Sequence, residues 1–323
     1  MKKIASIFIM AILIFIGFEI LTESESILKS VVFSLNIFRN NIFPSLFPFF
    51  ILSSLLIKYG FVELMGNLFK GFMNKIFKIN SKCAFIFFMS ILSGNPACAK
   101  YTRELYLNGE IDKYEATKIL CFSSFTSPLF ILGTVSLFLN NKEVGSLILV
   151  CHYLGNIMVG ILMRNYHPSK IDGEKSSLKK AINSMHMKRI SNKESFGIII
   201  TNSLVNSINT LLLILGVITV CLVLTTIIDN NISLNSTLQS ILNGFIEMTQ
   251  GLKYISLEPI PLKLKCILTV MILSFGGFSV HMQIMSILSD TDINYMPFLC
   301  SRVVCSIISS LFLYFLFDFW INF

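Results

Sequence analysis

Apolar residues run along this chain in stretches of about 17 to 25, the length a helix needs to cross a hydrocarbon core roughly 30 Å thick, with short polar connections between them. The pattern predicts spans over 4–20, 43–57, 116–139, 144–163, 209–228 and 303–321. Two more apolar segments are interrupted, 82–113 by Ser93, Gly94, Asn95 and Pro96, and 265–288 by Ser274, Phe275, Gly276 and Gly277. Each reads as a broken re-entrant hairpin. Segments 61–77 and 240–255 carry apolar residues at three- and four-residue spacing, the mark of an amphipathic helix at the membrane surface.

Charge gives the spans a direction. The segment 164–194 holds Arg164, Lys170, Lys175, Lys179, Lys180, Lys188, Arg189 and Lys193 against Asp172, Glu174 and Glu194, so the positive-inside rule makes it cytoplasmic. Threading the spans from it puts both termini in the cytoplasm and opens the 82–113 hairpin inward. Residues 140–143 and the loop 229–239, which has no Lys or Arg, then lie outside. Span, amphipathic helix, broken hairpin and span occur in that order over 43–139 and again over 209–321, with the first spans pointing in opposite directions. That is an inverted-topology repeat, an architecture of secondary transporters. The expected fold is an all-α, polytopic transmembrane bundle. It comprises an N-terminal helix and external loop (1–40), a first repeat (41–163), a basic cytoplasmic loop (164–194) and a second repeat (195–323).

Composition narrows the function. Of 323 residues, 54% are hydrophobic and 14% charged, too few charges to cover a water-soluble globule. The lipid bilayer is the expected surrounding. The net charge of +8 sits in loops beside the spans and forms no basic face with interleaved aromatics, so nucleic acid is not an expected partner. Eight cysteines form no Cys-x-x-Cys pair and read as free thiols in the membrane rather than disulfides or metal ligands. Lys2 and Lys3 before an apolar run would suit a signal peptide, but no small-x-small site follows, and a retained helix is expected. His-Glu-x-x-His, Gly-x-Ser-x-Gly, phosphate-loop and dinucleotide signatures are absent, so neither an enzyme nor a cofactor is indicated.

The candidate chemistry lies at the breaks. Gly94 and Pro96 end one half-helix and begin another, and free N–H groups at the start of the second would attract an acceptor or anionic solute; a kinked span with no ligand is the plainer reading. The hydroxyl-rich run Ser123-Ser124-Phe125-Thr126-Ser127-Pro128 either satisfies its own freed carbonyls or walls a cavity facing Gly94. Glu247, with Thr249 close by, is either a functional carboxylate in the membrane or a solvated group on its surface. Gly276 and Gly277 precede His281, a ligand contact or proton acceptor or else a structural histidine, as His152 is taken to be. The expected midplane site comprises Gly94, Asn95, Pro96, Ser127, Pro128, Glu247, Thr249, Gly276, Gly277 and His281, with Glu247 or His281 coupling any proton movement.

The segments Gly94-Asn95-Pro96-Ala97-Cys98-Ala99-Lys100, Ser127-Pro128-Leu129-Phe130, Glu247-Met248-Thr249 with Gly251, and Phe275-Gly276-Gly277-Phe278-Ser279-Val280-His281 resemble those of the YlbJ-type sporulation integral membrane proteins of endospore-forming bacteria. The likeness spans nearly the whole chain. It implies a nucleoside-recognition, or Gate, domain, similar to parts of nucleoside and ferrous-iron transporters, and a role in spore cortex or envelope formation. It also implies a mother-cell or forespore membrane and other sporulation membrane proteins as partners, and it names no solute. Asn95 stands where the family usually has an aromatic residue, and Cys98 where it has glycine, so the selectivity of a site they shape is expected to differ. Two functions follow: movement of a small polar solute, nucleoside-like in class, or a non-transporting scaffold acting through the basic loop.

Overall fold

The computed structural model describes residues 2–169 and 177–321. Residues 170–176, with Lys170, Asp172, Glu174 and Lys175 of the basic loop, lie outside the described residues. Among the described residues there is no strand. Six helical segments are long and apolar enough to cross a membrane: Ile4–Thr22, Ser24–Lys58, Lys142–Asn165, Phe196–Asn231, Leu262–Ile287 and Tyr295–Ile321.

In chain order the first half is α1 (Lys2–Thr22), α2 (Ser24–Ile37), a π-helical turn (Phe38–Ile42) and α3 (Phe43–Lys58), then α4 (Phe61–Leu68), α5 (Lys70–Phe72) and a second π-helical turn (Met73–Phe77). There follow α6 (Cys83–Ser93), α7 (Ala97–Leu107), α8 (Lys113–Phe122), a third π-helical turn (Phe130–Val135), α9 (Ser136–Phe138) and α10 (Lys142–Leu162). The remainder is α11 (Leu178–Ser191), α12 (Phe196–Asn231), α13 (Ser236–Ile246), α14 (Met248–Leu257), α15 (Leu262–Phe275), α16 (Gly277–Ile287) and α17 (Tyr295–Ile321).

The expected external loop before residue 41 is instead helical, and α2 runs through the first π turn into α3. Its polar residues explain why. Ser30 bonds Thr226 and Ser34 bonds Thr219 of α12 (2.8 Å for the second pair), so they are matched by a neighbouring helix and the stretch need not turn out to water. The amphipathic segment 61–77 breaks at Phe69 and buries Val62, Met73 and Phe77 in the core. The span expected over 116–139 stops at Phe122, and residues 123–127 have no regular structure before helix resumes.

The second half departs from the expectation in a more informative way. Segment 240–255, read as one amphipathic helix, is a hairpin: α13 and α14 pack against each other on either side of Glu247. A Cβ on Gly251 would collide with the backbone of Gly244, so only paired glycines let the two arms approach this closely. Segment 265–288, read as the hairpin, is a broken span whose halves α15 and α16 do not lie side by side. Gly276, at φ +97°, is the residue that ends α15 in the left-handed region, as a helix C-terminus commonly requires.

The core helices α10, α15 and α17 pack together. Gly155 of α10 leaves no room for a Cβ against Ser309 of α17, the close approach that small residues allow in membranes. Around α12 the other elements find their ends. Glu194, just before α12, pairs with Lys58 of α3 at 3.0 Å, whereas Asn230 near its far end bonds Ser26 of α2. Lys100 of the α6–α7 hairpin reaches Ser207 in the first half of α12, and Gln250 of the α13–α14 hairpin accepts from Thr225 in its last turns. The two hairpins therefore open towards opposite ends of α12.

Candidate functional site

A break in a helix at membrane depth frees backbone groups that lipid cannot satisfy. Here protein side chains take them up. At the first broken span, Arg302 of α17 donates to the carbonyls of Cys121 and Ser124 (3.2 Å to the second) and to Oδ1 of Asn156 on α10 (3.0 Å). The Thr126 N–H donates to His152 Nε2 at 2.9 Å, and the Tyr153 hydroxyl donates to the Thr126 carbonyl at 3.2 Å. Arg302 is 1% exposed, and among the described residues it has no carboxylate partner. Its fork bridges acceptors that an ammonium cannot reach together.

The tip of the α6–α7 hairpin is locked onto that break. Asn95 Oδ1 accepts from Ser124 Oγ at 2.7 Å, and its amide donates to the Ser124 carbonyl at 3.4 Å. A Cβ on Gly94 would lie 2.5 Å from the Ser127 nitrogen, and Gly94 itself sits at φ +81°, where other residues are strained. The Asn95–Pro96 peptide bond is cis. In the second half, a Cβ on Gly277 would lie 3.2 Å from both the Gly244 carbonyl oxygen and the Met248 nitrogen. In each half, then, the hairpin tip meets the break of its own following span.

Both tips, the first break and the α16 half-helix that follows the second break border one cavity of about 300 Å³. Of the residues expected at a midplane site, Asn95, Pro96, Ser127, Glu247 and Thr249 line this cavity. Gly94, Pro128, Gly276, Gly277 and His281 do not: they shape the backbone behind it. His281 is occupied elsewhere, its Nε2 donating to the Phe275 carbonyl (3.1 Å) and its Nδ1 accepting from the Tyr295 hydroxyl (2.6 Å). It thereby satisfies a carbonyl freed by the Gly276 break, a structural task. Glu247 is the one ionisable side chain among the lining residues. It is 2% exposed, caps α14 by accepting from the Gln250 N–H at 2.9 Å, and forms no ion pair among the described residues. Its place between two half-helices puts it inside the protein and not on a solvated surface.

Several lining residues escaped the sequence reading. Asn40 and Asn41 lie in the first π turn and Gly133 and Thr134 in the third, and Asn41 donates to Thr134 at 3.1 Å. π turns redirect side chains and recur at functional sites. Ser279 and Gln283 add polar groups one helical turn apart on α16. The signal for Asn40, Asn41, Asn156 and Arg302 was their polarity inside otherwise apolar stretches.

The arrangement is a pocket of amide, hydroxyl and single-carboxyl character on an apolar wall, at the meeting point of broken helices. A family model described as nucleoside recognition, Gate, matches residues 40–142, which contain the first hairpin and the first broken span. The sporulation integral membrane protein YlbJ of Bacillus subtilis (strain 168) is 32% identical over 338 residues, covering 97% of this chain and 83% of that protein. No solved structure matches. With likeness along nearly its full length and the Gate region placed at the paired hairpin and break, the chain belongs to the YlbJ family of sporulation integral membrane proteins.

Proposed function

We propose that this protein moves a small polar solute across a membrane of the developing spore, and that cortex or envelope formation depends on that movement. The observation that carries the reading is the convergence of two hairpin tips, the first span break and the half-helix after the second, from hairpins opening to opposite ends of α12, on a single cavity. That geometry suits an inverted pair of repeats rocking about a fixed site. The N-terminus of α14 is already capped by the Glu247 carboxylate, so the helix dipole that favours acceptor-rich groups of a solute is that of α7, which begins beside Pro96 on the cavity wall. Asn40, Asn41, Asn95 and Gln283 supply the amide edges that a nucleoside-like ring would use. Glu247, rather than His281, is the coupling group if protons move, because it borders the cavity and His281 is committed to two other partners. The charge pattern supports cytoplasmic termini, and the likeness to a sporulation integral membrane protein supports a mother-cell or forespore membrane.

The test is complementation of a deletion strain, scored by heat-resistant spores and by solute content, with Glu247→Gln and Asn95→Leu. Loss of both readouts at normal protein level is expected. Full complementation by both variants would overturn the reading.

One observation favours a scaffold instead: α11 of the basic loop presents Leu178, Ile182, Met187 and Ile190 to the surface. On that reading, replacing these residues by serine abolishes sporulation while the cavity variants do not.

A further inference from the structure

The α6–α7 hairpin separates the cavity described above from a second, larger one of about 570 Å³. The two share α7. Pro96, at its start, borders the first, while Lys100, Arg103, Glu104 and Asn108 further along line the second. Their three- and four-residue steps put them on one helical face. The opposite wall is the first half of α12, where Asn202, Asn206 and Asn209 follow the same stepping.

The lining restricts what can bind. Its charges balance, since Lys58, Lys100 and Arg103 stand against Glu104, Glu194 and Asp290. Two of these pairs close on themselves at the rim: Lys58 with Glu194 at 3.0 Å, and Arg103 with Asp290, Nε to Oδ1 at 2.7 Å. Lys100 and Glu104 remain, one helical turn apart. Lys100 is 8% exposed and is held 4.1 Å over the Phe50 ring, donating to the Ser207 hydroxyl at 3.1 Å and to the Phe50 carbonyl at 3.4 Å, which leaves one ammonium proton to offer and no carboxylate bonded to it among the described residues.

The side chains of Asn202, Asn206 and Asn209 are exposed and make no hydrogen bond to protein among the described residues. Three unused amides on one helical face, each with donors and an acceptor to offer, suit a polar ligand. No aromatic ring lines this cavity, so it has no platform on which a nucleobase could stack.

We infer that the second cavity is a binding site for a small, non-aromatic zwitterion of the amino-acid class. The ligand's carboxylate sits at Lys100, its ammonium at Glu104, and its remaining polar groups on the asparagine row. The site would hold its ligand whether or not the first cavity moves a solute, so the two readings fail separately.

Isothermal titration of L-serine into the full-length protein in detergent tests this, with lactate and ethanolamine as probes that each keep one of its charges. Saturable binding of L-serine is expected, with both single-charge probes weaker by about tenfold or more, since each lacks one charge-assisted contact. Lys100→Met and Asn206→Ala should each weaken L-serine by about tenfold. Asn206 is exposed, so its variant retains the fold even if the Lys100 variant does not. Lactate binding as tightly as L-serine, wild-type affinity in Asn206→Ala, or no saturable heat from L-serine in folded protein would each overturn the assignment.

Discussion

The Thr126 N–H donates to Nε2 of His152 at 2.9 Å, which leaves the other ring nitrogen to donate to Ser274 Oγ, also at 2.9 Å. One imidazole thus joins the break of the first half to the last turn before the break of the second. Replacing His152 with Ala orphans a buried N–H and removes the side chain that bridges these two points. A loss of about 1–3 kcal/mol is expected, read as a lower midpoint of thermal unfolding in detergent. Ser274→Ala should cost less, because Thr126 keeps its acceptor.

Arg302 makes a different demand on the same break. Arg302→Lys keeps the charge but gives up the planar fork that spans Cys121, Ser124 and Asn156. Cys121 and Ser124 keep second donors in the Ser301 hydroxyl and the Asn95 amide, but Asn156 Oδ1 has no donor besides Arg302 among the described residues, so the variant should lose about 1–3 kcal/mol and yield less monodisperse protein. Wild-type stability in Arg302→Lys would show that an ammonium serves this break as well as the fork does.

Gly94→Ala tests the contact between hairpin tip and break. The added Cβ meets Ser127 backbone, and the backbone angle disfavours any side chain, so a cost of about 1–3 kcal/mol is expected. Gly71, with nothing near a would-be Cβ, serves as the control, and its Ala variant should stay within about 0.5 kcal/mol of wild type.

At the other end of the hairpin, Glu110 is bonded by both Lys188 of α11 and Lys82. Burial alone would raise the Glu110 carboxyl, but the hydrogen bonds and charges of Lys188 and Lys82 outweigh it and hold it below the ordinary carboxylate range. The Glu110 hydrogen bond holds Lys188 above its ordinary range. A depressed carboxyl contributes fully above its unfolded value, about 4.3, and loses that contribution as pH falls through the folded one. The raised ammonium contributes fully below its unfolded value, about 10.4, and loses it as pH rises through the folded one. Amide exchange in α11, corrected for its intrinsic pH dependence, should therefore be flat between about pH 5 and 10 and rise outside that window. Glu110→Gln should raise it at neutral pH; unchanged exchange there would assign the docking of α11 to its packing against α4 and Gly60.

Much of this was legible in the residues. Length, apolarity and the breaks at Gly94–Pro96 and Gly276–Gly277 are local features, and each appears as a helix end. What could not be read was which break folds back. Gly276 has the flexibility expected of a hairpin tip, yet the chain reverses at Glu247, because the tight crossing of Gly244 over Gly251 is a contact between helices and leaves no periodic trace. The same applies to Asn40 and Asn41. They adjoin the external loop expected within 1–40, and a helix there depends on the facing Thr134 and on Thr219 and Thr226 of α12, which pair Ser34 and Ser30. His281 misled for a related reason: its partners, Phe275 and Tyr295, are not evident until the break is built.

The π turn at Phe38–Ile42 has one more consequence. Such a turn winds an extra residue into the helix, so deleting any one residue from it would restore ordinary winding and rotate everything upstream by roughly 100°. Ser30 and Ser34 would swing off α12, even with every remaining side chain unchanged. For this helix, the count of residues between Ser34 and Pro44 carries information that their identities do not.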